Sequence, residues 1–147
     1  MHNVLILWAP DTPENRRIVD TVTAAFSDAK LSPSVKRAAD ATAADLTAAE
    51  IIVFGAQKPG STDIPPDYNE CIRFFRGITL AGRTAGFFSM GSEKAAARLR
   101  KALKDTEITQ SDEEPLLADH KQGTSPEMRD WVRRLVGAHQ EIQNARA

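Results

Sequence analysis

The reactive side chains of this sequence do not assemble into a recognisable reaction centre. Cys71 is the only cysteine, which excludes an internal disulfide and multi-cysteine zinc or iron–sulfur sites. A Cys-x5-Arg loop is absent, because Gly77 occupies the place of the arginine. His2, His120 and His139 have neither metal-ligand spacing nor a neighbouring nucleophile. Glycine-rich dinucleotide and Walker patterns are missing. What remains is main-chain and hydroxyl chemistry in three short segments. The first is Pro10-Asp11-Thr12-Pro13-Glu14-Asn15. Thr12 is a good helix N-cap, and Pro13 and Glu14 suit the first turn that follows. The second is Gln57-Lys58-Pro59-Gly60-Ser61, with proline and glycine at the centre of a type II turn. The third, Ser89-Met90-Gly91-Ser92, offers backbone N–H groups, a polarizable thioether and, in Ser92, a further N-cap.

The elements around these segments follow from hydrophobic patterning. Val4 to Trp8, Ile51 to Phe54 and Thr84 to Phe88 are apolar runs without alternation. Such strands are covered on both faces, as in a parallel sheet between helix layers. Ile18, Val22, Ala25, Phe26 and Ala29 form the stripe of a helix opening at Pro13. A short polar strand is expected at Ser34 to Ala38 and a short alanine-rich helix within Ala41 to Ala48. Gly55 is expected to stop the second apolar run, and a helix from about Asp67 to Arg76 buries Cys71, Phe74 and Phe75. The helix after the third segment packs Ala95, Ala96, Leu99, Ala102 and Leu103, with Arg98, Arg100, Lys101 and Lys104 on its outer face. A short strand is expected around Glu107 to Thr109, with irregular, polar chain from Ser111 to Ser125. The last helix opens at Ser125-Pro126-Glu127, carries Met128, Trp131, Val132, Leu135 and Ile142 inward, and is expected to fray from about Gln140.

Strands alternating with helices predict an α/β fold. With right-handed crossovers it becomes a three-layer doubly wound sandwich around a five-stranded parallel sheet of order 2-1-3-4-5. A ligand in such a sheet sits beyond the carboxyl ends of the strands, beside the switch between the first and third. The three segments above are the loops found there.

The chain has 147 residues, enough for a single domain with a real core. Its 41% apolar and 27% charged residues exclude a disordered tail. No apolar run approaches the length of a membrane span. With 19 basic and 20 acidic residues the net charge is -1, which argues against nucleic acid as a partner. A lone cysteine and an N-terminus without basic leader or cleavage site point to the cytoplasm.

From Asn3 to Val136 the chain resembles the flavodoxin family. The resemblance rests on a hydrophobic first strand and a threonine-bearing turn into a helix, and on Ala49-Glu50-Ile51-Ile52-Val53-Phe54-Gly55. It continues through a proline-bearing loop and Leu80-Ala81-Gly82-Arg83-Thr84-Ala85-Gly86-Phe87-Phe88. The resemblance implies FMN as cofactor, electron transfer between redox partner proteins, and no catalytic side chain. It implies a phosphate near Pro10, Asp11, Thr12, Pro13, Glu14 and Asn15, with Thr12 as the central threonine and Asn15 replacing a hydroxyl donor. It also implies a flavin ring between Gln57, Lys58, Pro59 and Gly60 on one side and Ser89, Met90 and Gly91 on the other, with Gly60 free to flip near N5. The first loop departs from the family's glycine-rich turn. Pro10 and Pro13 carry no N–H, and Asp11 and Glu14 place negative charge where a phosphate sits. A domain of the same fold that has lost tight FMN binding and serves as a protein-binding or regulatory module therefore stays open. So does a flavin-dependent reductase. Trp8 either lines the crevice or caps the core, Tyr68 either stacks on a ring or sits at the core edge, and Arg16 and Arg17 either offset the acids or face solvent. The oligomeric state is not encoded in these patterns.

Overall fold

The computed structural model describes residues 3–57, 65–90, 94–110, 116–118 and 126–146. Lys58, Pro59, Gly60, Ser61, Gly91, Ser92 and Ser125 lie outside the described residues, and of Met90 only the backbone is described.

The first strand, β1, spans Val4–Ala9. Helix α1, Pro13–Asp28, follows it, capped by Thr12, whose hydroxyl accepts from the Asn15 N–H at 3.1 Å. This is the start expected from the Thr-Pro-Glu sequence. Strand β2, Ser34–Arg37, is short and polar. Helix α2, Ala43–Ala48, opens with a full capping box in which Thr42 and Asp45 bond each other's backbone N–H. Strand β3, Ile51–Ala56, runs through Gly55. The expected stop at this glycine is therefore corrected: the strand continues because a neighbouring side chain fills the space above Gly55. Were Gly55 given a Cβ, it would meet three ring atoms of Phe88 at 2.1, 2.5 and 2.7 Å.

The next helix is shorter than its pattern suggests, with a 3-10 turn at Pro66–Tyr68 leading into α3, Asn69–Phe75. Strand β4, Thr84–Met90, and helix α4, Lys94–Ala102, follow. The fifth strand is β5, Thr109–Gln110, one residue beyond the expected stretch. A further strand, β6, spans Leu116–Ala118 in the stretch expected to be irregular. Helix α5, Pro126–Arg146, stays helical past Gln140, where fraying was expected.

All pairings are parallel, and the order is β2-β1-β3-β4-β5, with β6 also on β4. The fifth position is thus shared by two short strands. Thr84 and Ala85 pair with β5, while Phe88, Ser89 and Met90 pair with β6.

Alternate side chains of the inner strands enter two cores. Leu5, Leu7, Ile52, Phe54, Ala85 and Phe87 pack with α2, α3 and α4. Val4, Ile6, Trp8, Ile51, Val53 and Phe88 pack with α1 and α5. Double coverage is why these strands show no polar alternation. Phe54 anchors the first core, stacked on Phe87 at 5.6 Å and edge-on to Phe75 at 5.9 Å between centroids. Trp131 anchors the second, edge-on to Phe26 at 6.1 Å. Arg100 is not simply outer-face charge. Its guanidinium lies 5.7 Å from the Phe87 ring centroid, and its Nε donates to Gln110 Oε1 at 2.9 Å.

Candidate functional site

Parallel strand order brings the ends of β1, β3 and β4 side by side: Trp8 pairs with Gly55, Ala9 with Ala56, and Ala56 with Ser89. The first loop leaves this edge through a cis Ala9–Pro10 peptide bond and turns directly into α1. The Thr12 N–H donates back to the Pro10 carbonyl at 3.1 Å, and the Arg16 N–H donates to the Thr12 carbonyl at 2.9 Å.

Asn15 is folded inward and is only 1% exposed. Its amide donates to the Pro10 carbonyl at 3.0 Å and to Gln57 Oε1 at 3.1 Å. The Gln57 N–H in turn donates to the Ala9 carbonyl at 3.1 Å. Asn15 therefore ties the first loop to the second. The donor that the resemblance assigns to a phosphate is already engaged by protein oxygens. Its remaining atom, Oδ1, is a buried acceptor with no partner among the described residues.

The charge of the first loop is organised around Asp11. Arg16 grips this carboxylate with two N–H groups, Nε at 2.6 Å and Nη2 at 2.9 Å. Arg37, at the end of β2, reaches it from the other side with Nη1 at 3.0 Å and also donates to Asp40. The hydrogen bonds from Arg16, and then Arg37, hold the Asp11 carboxyl at about 2, below its ordinary 3.8. Arg16 thus answers Asp11 while its side chain stays largely exposed. Glu14 is exposed on the first turn of α1.

Beneath the loops, Tyr68 is fully buried and is not a stacking platform. Its hydroxyl donates to the Gly55 carbonyl at 2.8 Å, with the Leu7 carbonyl at 3.1 Å. It thereby staples β1 to β3 next to the crevice. Burial raises its ionisation well above the ordinary tyrosine range. Trp8 is 6% exposed and belongs to the core of α1 and α5. Ser89 is fully buried, and its hydroxyl has no partner among the described residues.

Of the expected site residues, the structure gathers Pro10, Thr12, Asn15 and Gln57 into one bonded cluster, pairs Asp11 separately with Arg16 and Arg37, and sets Ser89 one residue before the end of β4. Pro13 and Glu14 lie on the exposed start of α1. Lys58, Pro59, Gly60 and Gly91 lie outside the described residues. Arg37 was not among the expected residues. The signal for it was strand order, since β2 beside β1 sets the end of a basic strand against the first loop.

The fit to FMN divides along the molecule. Two unpartnered buried polar atoms, Asn15 Oδ1 and Ser89 Oγ, suit a ligand bearing hydroxyl or N–H groups. The first loop does not suit a phosphate dianion. Pro10 and Pro13 supply no N–H, the N–H groups of Thr12 and Asn15 are engaged, and the same loop carries the ionised Asp11 carboxylate paired with Arg16 and Arg37.

Elsewhere the chemistry is structural. Burial pushes the Cys71 thiol up to about 12, and its Sγ lies 3.5 Å from the Ala38 carbonyl. His139 is buried at the opposite end of the sheet, its Nδ1 2.8 Å from Thr84 Oγ1 and its Nε2 3.5 Å from Glu50. Among the described residues no cluster of His, Cys, Asp or Glu could hold a metal ion. Among them, too, no helix is long and apolar enough to cross a membrane.

No protein-family model matches the chain, and no curated protein matches it in sequence. Solved structures do match it. A short-chain flavodoxin associated with a PDU bacterial microcompartment superposes with a TM-score of 0.82 at 15% identity, over 95% of this chain and 99% of its own. The flavodoxin of the Streptococcus pneumoniae strain TIGR4 gives 0.76 at 17% identity, over 92% and 98%. Two-electron reduced flavodoxin of Megasphaera elsdenii gives 0.71 at 19% identity, over 91% and 98%. Together with the strand order, these matches establish that the chain has the flavodoxin-like fold.

Proposed function

We propose that this domain binds a flavin in the crevice at the ends of β1, β3 and β4 and carries electrons between redox partner proteins. The observation supporting this reading is the pair of buried atoms, Asn15 Oδ1 and Ser89 Oγ, left without partners at that edge. Native proteins leave few buried polar groups unpaired, and a bound ligand is one reason for such a group. A bound flavin supplies the redox chemistry, and FMN is the flavin implied by the resemblance. The protein's own part is to bind, orient and exclude water. Asn15 and Gln57 fix the spacing of the first two loops, and Tyr68 holds the strands beneath them. Thr12, Pro13 and Glu14 set the start of α1, while Lys58, Pro59, Gly60, Ser89, Met90 and Gly91 would flank the ring. No side chain in this reading acts as acid, base or nucleophile. A cytoplasmic setting, expected from the lone cysteine, belongs to the same reading.

A second reading is favoured by the closed first loop: the fold is kept, tight FMN binding is lost, and the domain serves as a protein-binding or regulatory module. Absorption of the freshly purified protein and fluorescence titration with flavin separate the two. Yellow protein, or quenching at micromolar flavin, supports the carrier. Colourless protein that quenches no flavin leaves the module.

A further inference from the structure

We infer that Asp11 is a built-in occupant of the anion seat at the head of α1, so that the crevice takes a flavin lacking its 5′-phosphate at least as well as FMN. The inference rests on the flavin reading above and names the flavin.

Three observations converge on it. First, the seat is already filled. The guanidinium groups of Arg16 and Arg37 approach one carboxylate from two sides at 2.6 to 3.0 Å. Arg37 is further committed to Asp40. Two cations therefore face two carboxylates, leaving no net positive charge for an incoming dianion. Second, the loop is poor in free donors, through two prolines and the engaged N–H groups of Thr12 and Asn15. Third, and independently, the unpartnered atom of the 1%-exposed Asn15 is an acceptor. It can take a donor such as a ribityl hydroxyl, which both flavins carry, and it offers a phosphate dianion nothing. Ser89 Oγ can serve the same kind of neutral, hydroxylated chain.

Removing the Asp11 charge should reverse the preference. Arg16 would lose its charged partner and Arg37 one of its two, leaving uncompensated positive charge beside the start of α1. Charge-assisted hydrogen bonds of this kind correspond to roughly 10- to 100-fold in affinity.

The test is fluorescence titration of the wild-type chain and of Asp11→Asn with riboflavin and with FMN, alongside thermal melts in inorganic phosphate. The expected results are wild-type affinity for riboflavin equal to or above that for FMN, and at least a tenfold gain for FMN in D11N with riboflavin unchanged. The D11N gain should shrink as salt is raised. Wild type binding FMN tenfold tighter than riboflavin, or D11N gaining nothing for FMN, overturns the inference while leaving the flavin reading intact. Should neither protein bind either flavin, the flavin reading fails, and the melts decide the role of Asp11. A phosphate-dependent rise in midpoint in D11N alone supports Asp11 as the occupant, and equal midpoints in the two proteins overturn it. If D11N fails to fold, Arg37→Gln provides the second variant. By loosening Asp11 without adding a cation, it should weaken FMN relative to riboflavin, and an FMN gain overturns the inference.

Discussion

Gly55→Ala tests how the strands beneath the crevice are fitted together. The added methyl carbon would lie 2.1, 2.5 and 2.7 Å from three atoms of the Phe88 ring, where ordinary carbon contacts are about 3.5–4.0 Å. Relief needs a shift of more than about 1 Å. The ring has nowhere to go, because Phe88 is fully buried in the core shared with Met128, Trp131 and Val132. Overpacking of this kind costs typically ~1–3 kcal/mol and occasionally more, and an aromatic ring enclosed on all sides belongs at the upper end. Gly86→Ala is the internal control. Its nearest neighbour is a terminal methyl of Leu135 at 2.6 Å, the far end of a flexible side chain, with the other Leu135 methyl at 3.2 Å and Trp131 at 3.3 Å, so the single closest contact is milder than the three ring atoms above Gly55. Both changes gain the same ~0.4–1 kcal/mol from a less free unfolded chain, so the difference between them reports packing alone. Urea unfolding should place Gly55→Ala roughly 3 kcal/mol below wild type, against about 1 for Gly86→Ala. At this chain length that corresponds to roughly 6–12 °C and 2–4 °C in Tm. The decisive measurement is the cycle with Phe88→Leu. With the ring removed, Gly55→Ala should cost at least roughly 2 kcal/mol less than in the wild type. Equal costs in the two backgrounds, or a Gly55→Ala protein as stable as Gly86→Ala, would refute the argument.

Tyr68→Phe removes the hydroxyl between the Gly55 and Leu7 carbonyls and leaves the ring in place; urea unfolding should show a loss of about 1–2 kcal/mol, and an unchanged midpoint would mean the hydroxyl does not staple the strands. Asp11 titrates at about 2 in the folded chain against 3.8 ordinarily. A depressed carboxyl pKa contributes stability above the unfolded value and loses it as pH falls through the folded one. The stability gap between wild type and Asp11→Asn should therefore be constant above about pH 4 and close between pH 4 and 2, as read from thermal midpoints; a gap that widens in that window would contradict the ion-pair assignment.

The sheet was legible in the sequence because its physics is local. Val4 to Trp8 and Ile51 to Phe54 lack polar alternation, and only a strand buried on both faces tolerates that. The start of α1 was legible for the same reason: Thr12, Pro13 and Glu14 cap a helix through contacts with their own neighbours. The features that escaped depend on partners far along the chain. Gly55 looks like punctuation until Phe88 is seen above it. Arg37 meets Asp11 across 26 positions, and the inward turn of Asn15 depends on Gln57, which arrives from another strand. Leu116–Ala118 is too short for periodicity to mark it as a strand.

The borders of the sheet carry a consequence for self-association. On one flank the outermost strand is only Ser34–Arg37, with Lys36 and Arg37 bound to acidic residues. On the other, the border strands among the described residues are pieces of two and three residues. Short, charged or interrupted margins give an incoming copy no continuous line of peptide groups to zip onto. Fibrous stacking through strand addition is thereby discouraged at both sides, in a molecule whose inner strands are apolar enough to invite it once uncovered.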